Sequence, residues 1–512
     1  MVTEDTLLLV IDAGTSEVRV SLFDLSGGLR ARAVRGYAMT FPAPGHVEID
    51  PNLIWEAVVE AIRELEPDLH AVAAISVAAE LGTIFLDSQD EPIGNALCWP
   101  DKRARKQSTQ LAESLGASAV YATTGRILDP ELPAVKLLWL RQVEPSLADL
   151  TRSMISIKDF LVFRLCGRLF TDEAHASYSM LFDVSKRRWA DDIFAELGVD
   201  PDMLPAVRPA TAEAGVVQKV ASRLTGLREG TPVNVGGPDG TVGTVGAGLV
   251  RPGITVDLVG TADVIFHAIS KPLLDPERRA VVNAHLVPEM WAIGGPTGTT
   301  GGMLARLSEV LGYGTDADGL ALLDTEAEEV VPGADGLVCL TPMAGDRFPD
   351  WDPTTKGVLF GLGLGHKRAH IARAALEGAA YVLRSALEVY EQLGLRVDEV
   401  RIVGGGAKSQ VWTQLRADVC GVPMQPAVVH EATSLGAAVL AAVTIGAFPD
   451  IPTASDALSK TAASIAPRPQ ESQAYRVLFR SYQQLRSELS PALRTWDRIQ
   501  SDSEQIEEHK TR

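Results

Sequence analysis

The chain has 512 residues, more than a single ordinary hydrophobic core accommodates, so we expect two domains. Apolar residues make up 46% of it and charged residues 22%, a composition typical of globular proteins that argues against a disordered chain. Its formal net charge of −19, from 47 basic and 66 acidic residues, repels phosphate backbones and disfavours nucleic-acid binding. A small anionic ligand is still compatible with this charge, because local amides and metals can override the global field.

The positions of the cysteine, histidine and apolar residues indicate the cellular location and which metal sites are disfavoured. Cys98, Cys166, Cys339 and Cys420 lie far apart with no CxxC pair, which indicates reduced thiols and no thiolate metal site. The nine histidines show no HxH or HExxH spacing, so zinc is disfavoured. The N-terminus is acidic where a secretory signal would be basic, and residues 434–448 are too few to span a bilayer and predict a buried helix. We predict a cytoplasmic protein without a membrane partner.

The chain begins with a strand–turn–strand pattern. The apolar run LLLV leads into IDAGTSEVRVSLFD (11–24), where apolar and polar residues alternate after a small-residue turn. Such alternation predicts a hairpin over residues 7–24 around AGTS. Helical spacing from Pro51 predicts a helix, and residues 71–79 and 82–87 predict further strands.

The pattern recurs in the second half, at ITVDLVGTADVIFHAI (254–269). The glycine-rich stretch 236–253 directly before it is our candidate for a hinge between domains. A helix over 371–394, a strand over 399–406 and a helix over 410–421 follow. Alternating strands and helices predict α/β domains.

The first turn, Asp12-Ala-Gly-Thr15-Ser16, has two interpretations. Asp, Gly and Ser are ordinary turn residues, so it could be a plain hairpin connection. Small residues also let backbone amides close on phosphate oxygens, and a nearby carboxylate could hold Mg²⁺ directly or through water. The sequence has no GxxxxGK[ST], which excludes a P-loop.

Asp239 lies in Gly-Gly-Pro-Asp-Gly (236–240), and two interpretations stay open on the sequence alone. Pro-Asp-Gly is a favoured turn. A carboxylate in a glycine-lined loop at a domain junction also suits a general base.

Other segments are less specific. GGGAKSQVW (404–412) is either a flexible connection or a turn that lets a nucleotide approach a helix N-terminus. Glu80 could merely solvate a strand end. Trp99, Asp101 and Arg103 in WPDKR could be loop packing and a surface ion pair.

Taken together, these segments resemble the FGGY family of carbohydrate kinases over about residues 7–485. The matching stretches occur in the family's order: IDAGTSEVRVSLFD, PGHVEIDPNLIWEAV, WPDKRA, LPAVKLLWLRQVEP, FTDEAHASYSMLFDV, GGPDGTVGTVGAGLVRPG, LVGTAD, WDPTTKGVLFGL, RAALEGAAYVLR, GGGAKSQVWTQLRADVCGVP and EATSLGAAVLAA. The resemblance implies two actin-like (ribonuclease H-like) α/β domains, with ATP and sugar meeting in a cleft between them. We place these domains at 1–248 and 249–490, followed by a polar tail at 491–512.

The resemblance also assigns roles. Asp239 matches the family's catalytic aspartate, which would accept the proton of a sugar hydroxyl as its oxygen attacks the γ-phosphorus. Asp12 would hold Mg²⁺, and Glu80 with the WPDKR residues Trp99, Asp101 and Arg103 would line the sugar pocket. The residues that would contact ATP are Thr15, Ser16, Arg19, Gly260, Thr261, Gly301, Gly405, Gly406 and Ala407.

The residues expected to contact the phosphate acceptor differ from those of the relatives. Xylulokinases carry Gln-Met-His-Gly and glycerol kinases Asn-Gln-Arg-Glu where this chain has Ala-Ala-Glu80-Leu-Gly, and Glu131 stands near a tyrosine of glycerol kinases. Glycerol is therefore disfavoured, while an acidic Glu80 suits a polyhydroxylated substrate and would repel a sugar acid. We expect a ketopentose such as xylulose.

Alternatives to a ketopentose kinase are a tetritol, pentitol or autoinducer-2-like acceptor, or a non-catalytic actin-like ATP-binding protein. A sugar-sensing repressor is disfavoured because the acidic N-terminus offers no DNA-binding segment. Related kinases often form dimers, so the resemblance also implies a homodimer.

Overall fold

The computed structural model describes residues 6–66, 68–428 and 431–511, with side chains described as far as residue 500. The strands, in chain order, are β1 (Leu7–Ala13), β2 (Glu17–Asp24), β3 (Leu29–Gly36), β4 (Glu48–Ile49), β5 (Val72–Ala79), β6 (Thr83–Leu86), β7 (Ala96–Leu97), β8 (Ser153–Ser156), β9 (Phe170–Thr171), β10 (Phe182–Asp183), β11 (Arg188–Trp189), β12 (Ala206–Val207), β13 (Glu213–Val216), β14 (Pro232–Asn234), β15 (Gly237–Pro238), β16 (Thr255–Val259), β17 (Ala262–Ile269), β18 (Val281–Ala284), β19 (Trp291–Thr299), β20 (Val338–Leu340), β21 (Val358–Phe360), β22 (Val400–Gly404) and β23 (Met424–Pro426).

The α-helices are α1 (Pro51–Glu64), α2 (Arg105–Leu111), α3 (Ala117–Thr124), α4 (Pro133–Val143), α5 (Pro145–Leu150), α6 (Ile157–Cys166), α7 (Glu173–Tyr178), α8 (Asp191–Leu197), α9 (Lys219–Thr225), α10 (Asp239–Gly246), α11 (Gly301–Val310), α12 (Ala317–Glu328), α13 (Arg368–Gln392), α14 (Gln410–Cys420), α15 (Ala432–Thr444), α16 (Ile451–Leu458) and α17 (Pro469–Thr511). Short 3₁₀ segments lie at Asp68–Ala71, Pro201–Met203, Ala334–Gly336 and Gly405–Lys408, and a π turn at Ala112–Gly116. Strands and helices alternate, so the predicted α/β class is confirmed.

The chain forms two compact units, and both are discontinuous in sequence. The first unit comprises Met1–Pro252, Ala268–Ile293 and Glu431–Lys460, and the second comprises Gly253–His267, Gly294–His430 and Thr461–Arg512. The contiguous domains at 1–248 and 249–490 stay a prediction, as does the separate tail from 491. Residues 491–511 continue helix α17.

The first unit is built on a mixed sheet with strand order β13–β14–β5–β1–β2–β3, in which β15 also pairs with β5. β1 and β2 form an antiparallel hairpin, and β5 runs parallel to β1. The hairpin predicted over residues 7–24 is therefore confirmed. Its apolar side chains are buried, with helix α1 packed against β2 and helix α15 against β1.

Helix α1 shows why the predicted helix begins where it does. Asp50 caps it, accepting a hydrogen bond from the Asn52 amide at 2.8 Å, and Pro51 occupies the first turn, where a missing amide costs nothing. Its apolar residues recur every three or four positions and are buried.

The glycine-rich stretch proposed as a hinge forms the short strand β15 and helix α10. Helices α10 and α15 pack backbone against backbone, because a Cβ on Gly246 would lie 1.9 Å from the Ala432 carbonyl oxygen, and one on Gly436 equally close to that of Val242. The buried helix predicted at 434–448 is confirmed as α15, shifted slightly towards the N-terminus. Among the described residues, no helix combines the length and the apolar character that crossing a membrane requires.

The second unit repeats the hairpin-and-parallel-strand arrangement. β16 pairs antiparallel with β17 and parallel with β22, which in turn runs parallel to β23. The second predicted strand–turn–strand, at 254–269, is thus confirmed. Helix α13 is largely buried and packs against α14, and α14 in turn packs against α17.

Candidate functional site

Three parallel strands of the first unit end side by side, and a carboxylate follows or ends each of them. Asp12, near the end of β1, is in register with Ala78 of β5. Pro238 of β15 is in register with Ala79, the last residue of β5. Glu80 and Asp239 are the next residues on those two strands. The sheet therefore gathers Asp12, Glu80 and Asp239 at one edge.

Burial and mutual repulsion make these carboxylates weaker proton donors than usual. Burial raises the pKa of Asp12 to about 7, with a further rise from Asp239 and an opposing effect of Arg19, whose Nη1 lies 3.5 Å from Asp12 Oδ2. Burial likewise raises the pKa of Glu80 to about 7, which Lys136 opposes. Burial also raises the pKa of Asp239. Asp12 and Glu80 therefore take up protons readily near neutral pH.

The turn between β1 and β2 combines a fixed backbone with accessible side chains. The Gly14 amide donates to the Glu17 carbonyl at 3.0 Å, and Tyr37 donates its hydroxyl to the Gly14 carbonyl. Ser16 is exposed and Thr15 half-buried, with its hydroxyl accepting from Trp99 Nε1 at 3.2 Å. The predicted phosphate residues therefore lie on the surface of the first unit, next to Asp12.

Glu80 retains an unused acceptor. It is 2% exposed, and its Oε2 accepts from the Trp99 amide at 3.3 Å, while no described group bonds its Oε1. Lys136, which sequence reasoning missed, is fully buried and donates to the carbonyls of Leu97 and Cys98 at 3.1 and 2.8 Å. A lysine within the apolar helix segment PAVKLLWL was the available clue.

Asp101 and Arg103 form an ion pair within the protein. Asp101 is fully buried and accepts from the Val47 amide at 2.6 Å and from Arg103 Nε at 2.9 Å. Arg103 also reaches Glu48 at 2.7 Å and stacks over the Trp139 ring. This pair fastens the WPDKR loop to the segment at Val47, and sugar contact by either residue stays a prediction.

Glu131 lies beside that loop. Lys102 Nζ is 3.4 Å from Glu131 Oε2 and 2.7 Å from Asp129 Oδ1. The carboxylate of Glu131 is therefore already engaged by a cation.

Asp239 is the first residue of α10. Its Oδ1 accepts from the Gly240 amide at 2.6 Å, and its carbonyl accepts from Thr433 Oγ1 at 3.3 Å. Space is open beside Gly240, where an added Cβ would meet no atom within 4 Å. The carboxylate is thus held on a helix that is itself locked by α15.

In the second unit, the predicted nucleotide residues come together at the ends of β16 and β22. The amides of Thr300 and Gly302 donate to the Thr261 carbonyl at 3.1 and 3.0 Å, which joins the start of α11 to the β16–β17 turn. A Cβ on Gly301 would lie 2.2 Å from the Gly260 carbonyl oxygen. Only glycine permits this approach.

The third glycine segment follows β22, whose Gly404 is in register with Val259 of β16. Gly406 packs against Val259 and the Trp412 ring, and Ala407 is buried. Gly405 faces open space. Of the three residues predicted to contact ATP here, Gly405 has the most room for a ligand.

A buried ion cluster, not predicted from the sequence, connects these segments. Arg416 of α14 contacts Asp257 of β16 and, at 2.8 Å, Asp263 of β17. Asp263 also accepts from the Thr300 hydroxyl at 2.6 Å. One guanidinium therefore ties together α14, the β16–β17 turn and the start of α11. We name Asp257, Asp263 and Arg416 the arginine cluster.

The described side chains do not form a complete coordination site for magnesium. Among the residues described, no three His, Cys, Asp or Glu side chains form a group that could hold a metal ion. Mg²⁺ in phosphotransferases is usually bound through one or two carboxylates together with substrate phosphates and waters. Asp12 beside an accessible phosphate turn fits that kind of site.

Comparison with known proteins identifies the family. The N-terminal and C-terminal domain models of the FGGY family of carbohydrate kinases match residues 7–246 and 258–445. The chain is similar to the gluconokinase of Bacillus licheniformis, 29% identical over 92% of this chain and 94% of the relative. It is also similar to the xylulose kinase of Escherichia coli K12, 30% identical over 80% and 84%.

A solved structure extends the likeness to the fold. The ligand-bound xylulose kinase of Lactobacillus acidophilus superimposes with a TM-score of 0.90, at 26% identity, over 96% of this chain and all of that one. The predicted α/β fold with two domains is thereby confirmed. The chain belongs to the FGGY family of carbohydrate kinases, enzymes that use ATP as phosphate donor.

Proposed function

We propose that this kinase phosphorylates a hydroxyl of a small neutral sugar, a ketopentose such as xylulose. The observation that carries the proposal is the set of three strand-end carboxylates, Asp12, Glu80 and Asp239, buried at one edge of the sheet. A sugar acid would bring a further negative charge to this set, whereas a neutral polyol supplies hydroxyl donors that carboxylates accept. Relatives with different acceptors match comparably well, so similarity alone does not choose the sugar.

Asp239 is the general base. Its raised pKa makes it a stronger base than an ordinary aspartate, and its position at the start of α10 fixes the carboxylate in space. It takes the proton of the acceptor hydroxyl as that oxygen attacks the γ-phosphorus of ATP in line.

Glu80 orients the acceptor. Its unused Oε1 accepts from a sugar hydroxyl, and Trp99 supplies an aromatic surface held by its bond to Thr15. Asp101 and Arg103 keep the loop that carries Trp99 in place.

The phosphates are contacted by Thr15, Ser16 and Arg19 in the first unit. The nucleotide is held in the second by Gly260, Thr261, Gly301 and the segment Gly405 to Ala407. Asp12 would hold Mg²⁺, which would neutralise phosphate charge. The four cysteines are buried and unpaired, which supports a reducing compartment, and we place the enzyme in the cytoplasm. A homodimer stays a prediction of the resemblance.

The test is ADP release with Mg-ATP and a panel of acceptors: xylulose, ribulose, arabinitol, erythritol, glycerol and gluconate. We expect a ketopentose to give the highest kcat/KM, with glycerol and gluconate at least tenfold lower. Gluconate as the best acceptor would contradict the charge argument. Silence across the panel, with ATP still bound, would favour the non-catalytic actin-like alternative.

A further inference from the structure

A small cavity in the first unit lies next to the proposed acceptor site. It is bounded by helix α7, by the start of β6 and by apolar side chains that include Leu81, Met154 and Trp189. We call it the α7 cavity. No lysine or arginine is among its described lining residues.

Besides Asp159 Oδ1, which forms an ion pair with Lys158, three polar groups that line the α7 cavity have no hydrogen-bond partner among the described residues. They are Thr83 Oγ1, His175 Nε2 and the Tyr178 hydroxyl, on side chains 2%, 6% and 6% exposed. A buried polar group left unpaired costs about 1–3 kcal/mol, so such groups normally meet water or a ligand. Three of them around one cavity indicate a site built for a hydroxyl-bearing molecule.

The imidazole of His175 is oriented by its other nitrogen. His175 Nδ1 lies 2.7 Å from Asp172 Oδ2, and Asp172 also accepts from the Ala174 and His175 amides. Burial opposes ionisation of Asp172, but His175 and Lys158 keep its pKa below the ordinary value, so the carboxylate is charged. Nδ1 therefore donates to Asp172, and Nε2 is left for a ligand.

Tyr178 offers a hydroxyl donor. Burial raises the pKa of its phenol well above the ordinary value, so the group stays protonated. The Arg126 guanidinium stacks on its ring and holds it in place.

The α7 cavity adjoins both acceptor carboxylates. Gly82 lines it, and a Cβ on Gly82 would lie 2.6 Å from Glu80 Oε1. Helix α7 packs against β15, the strand that ends directly before Asp239. One wall of the cavity therefore lies beside the Glu80 oxygen that has no partner among the described residues.

We propose that the α7 cavity is a subsite for the distal end of the acceptor. It takes the terminal hydroxyl-bearing carbons of a neutral polyhydroxylated chain longer than glycerol, with Thr83, His175 and Tyr178 bonding the hydroxyls and Trp189 facing the C–H surface. The inference rests on the proposed sugar kinase function and narrows its substrate class.

Two nearly isosteric variants test it, Tyr178→Phe and Thr83→Val. Each removes one hydroxyl that has no partner in the described protein, so the melting temperature without sugar should be unchanged or higher. Calorimetric binding of xylulose and of arabinitol should weaken about tenfold in each variant, the effect of losing one hydrogen bond of about 1.4 kcal/mol. Binding of ATP should be unchanged.

The matched control is Tyr121→Phe. The Tyr121 hydroxyl donates to the Ala280 carbonyl at 2.7 Å and accepts from the Asp275 amide at 3.0 Å, away from the α7 cavity. Its loss should lower the melting temperature and leave sugar affinity as it was. The control thus shows the opposite pattern to the two cavity variants.

The outcomes distinguish a failure of the subsite proposal from a failure of the proposed kinase function. Sugar binding that is equal in wild type and in both cavity variants overturns the subsite, as does a wild type that binds neither five-carbon probe. Weaker binding in the variants with no ADP release from any acceptor upholds the subsite and removes the kinase proposal. ADP release with xylulose, together with sugar binding that both cavity variants retain, upholds the kinase proposal and removes the subsite.

Discussion

The two units use the same hairpin for different purposes. In the first, the β1–β2 turn and the neighbouring strand ends carry Asp12, Glu80 and Asp239. Few cationic side chains pair with these buried carboxylates. In the second, the β16–β17 hairpin also contains two carboxylates, Asp257 and Asp263, but Arg416 pairs with both of them in the interior.

The difference separates chemistry from positioning. A carboxylate that must accept a proton or a cation during turnover has to be left incompletely paired. A turn that only has to hold backbone amides and glycines at a ligand is better fixed by a closed ion cluster. We therefore expect substitutions in the first unit to cost activity, and substitutions in the arginine cluster to cost stability.

The largest effect expected is that of Asp239→Asn. Without a general base, kcat should fall about 10²–10⁴-fold, while ATP binding is retained. Steady-state ADP release and calorimetric ATP titration measure the two quantities.

Asp456→Asn is the control, an exposed carboxylate of the same unit that pairs with Arg251. It should leave turnover unchanged. Retention of more than a few per cent of wild-type turnover by Asp239→Asn would remove that residue from the catalytic role.

Next in size is the effect of Arg416→Met in the second unit. Asp257 and Asp263 would be left buried without their cation, which costs about 3–5 kcal/mol. Differential scanning calorimetry should show a lower melting temperature, and the KM for ATP should rise because the glycine segments lose their common tie.

Arg306→Met provides the comparison, since Arg306 pairs with Glu309 on the surface with both side chains 62% exposed. It should change stability by less than about 1 kcal/mol. If Arg416→Met were equally mild, the arginine cluster would not be what fixes the second turn.

The smallest effect expected is a pH-dependent gain in stability from Asp12→Asn. The pKa of Asp12 is about 7 in the folded protein against 3.8 ordinarily, so the folded state binds more protons than the unfolded state between these values. Its contribution to stability therefore falls as pH rises from about 4 to 7. Asp12→Asn should raise the melting temperature at pH 8, and by less at pH 5.

Asp24→Asn, in the same hairpin, should show the opposite trend. Although burial opposes it, bonds from Ser26 and Gly28 hold the pKa of Asp24 below its ordinary value. Its contribution to stability is present at neutral pH and lost on acidification. A melting temperature of Asp12→Asn that does not depend on pH would mean that burial does not penalise this carboxylate.

Local patterns in the sequence sufficed for much of the fold. Alternation and small-residue turns predicted both hairpins, helical spacing predicted α1, and the sequence also predicted helices at α13, α14 and α15, because these features depend on neighbours within a few residues. The resemblance of collinear motifs then identified the family. The same patterns could not assign Asp101 and Arg103, whose partners Val47 and Glu48 lie more than fifty positions away.

What the sequence determined by itself was the identity of the chemical groups: a carboxylate behind each strand, a hydroxyl-bearing turn and three glycine segments. Only the tertiary structure decided their grouping. β15 joins β5 across more than 150 intervening residues, which places Asp239 beside Glu80 and Asp12, and Arg416 reaches back a similar distance to Asp257. Strand order and the burial of charge are set by the packing of the whole unit, so neither can be inferred from a local stretch of sequence.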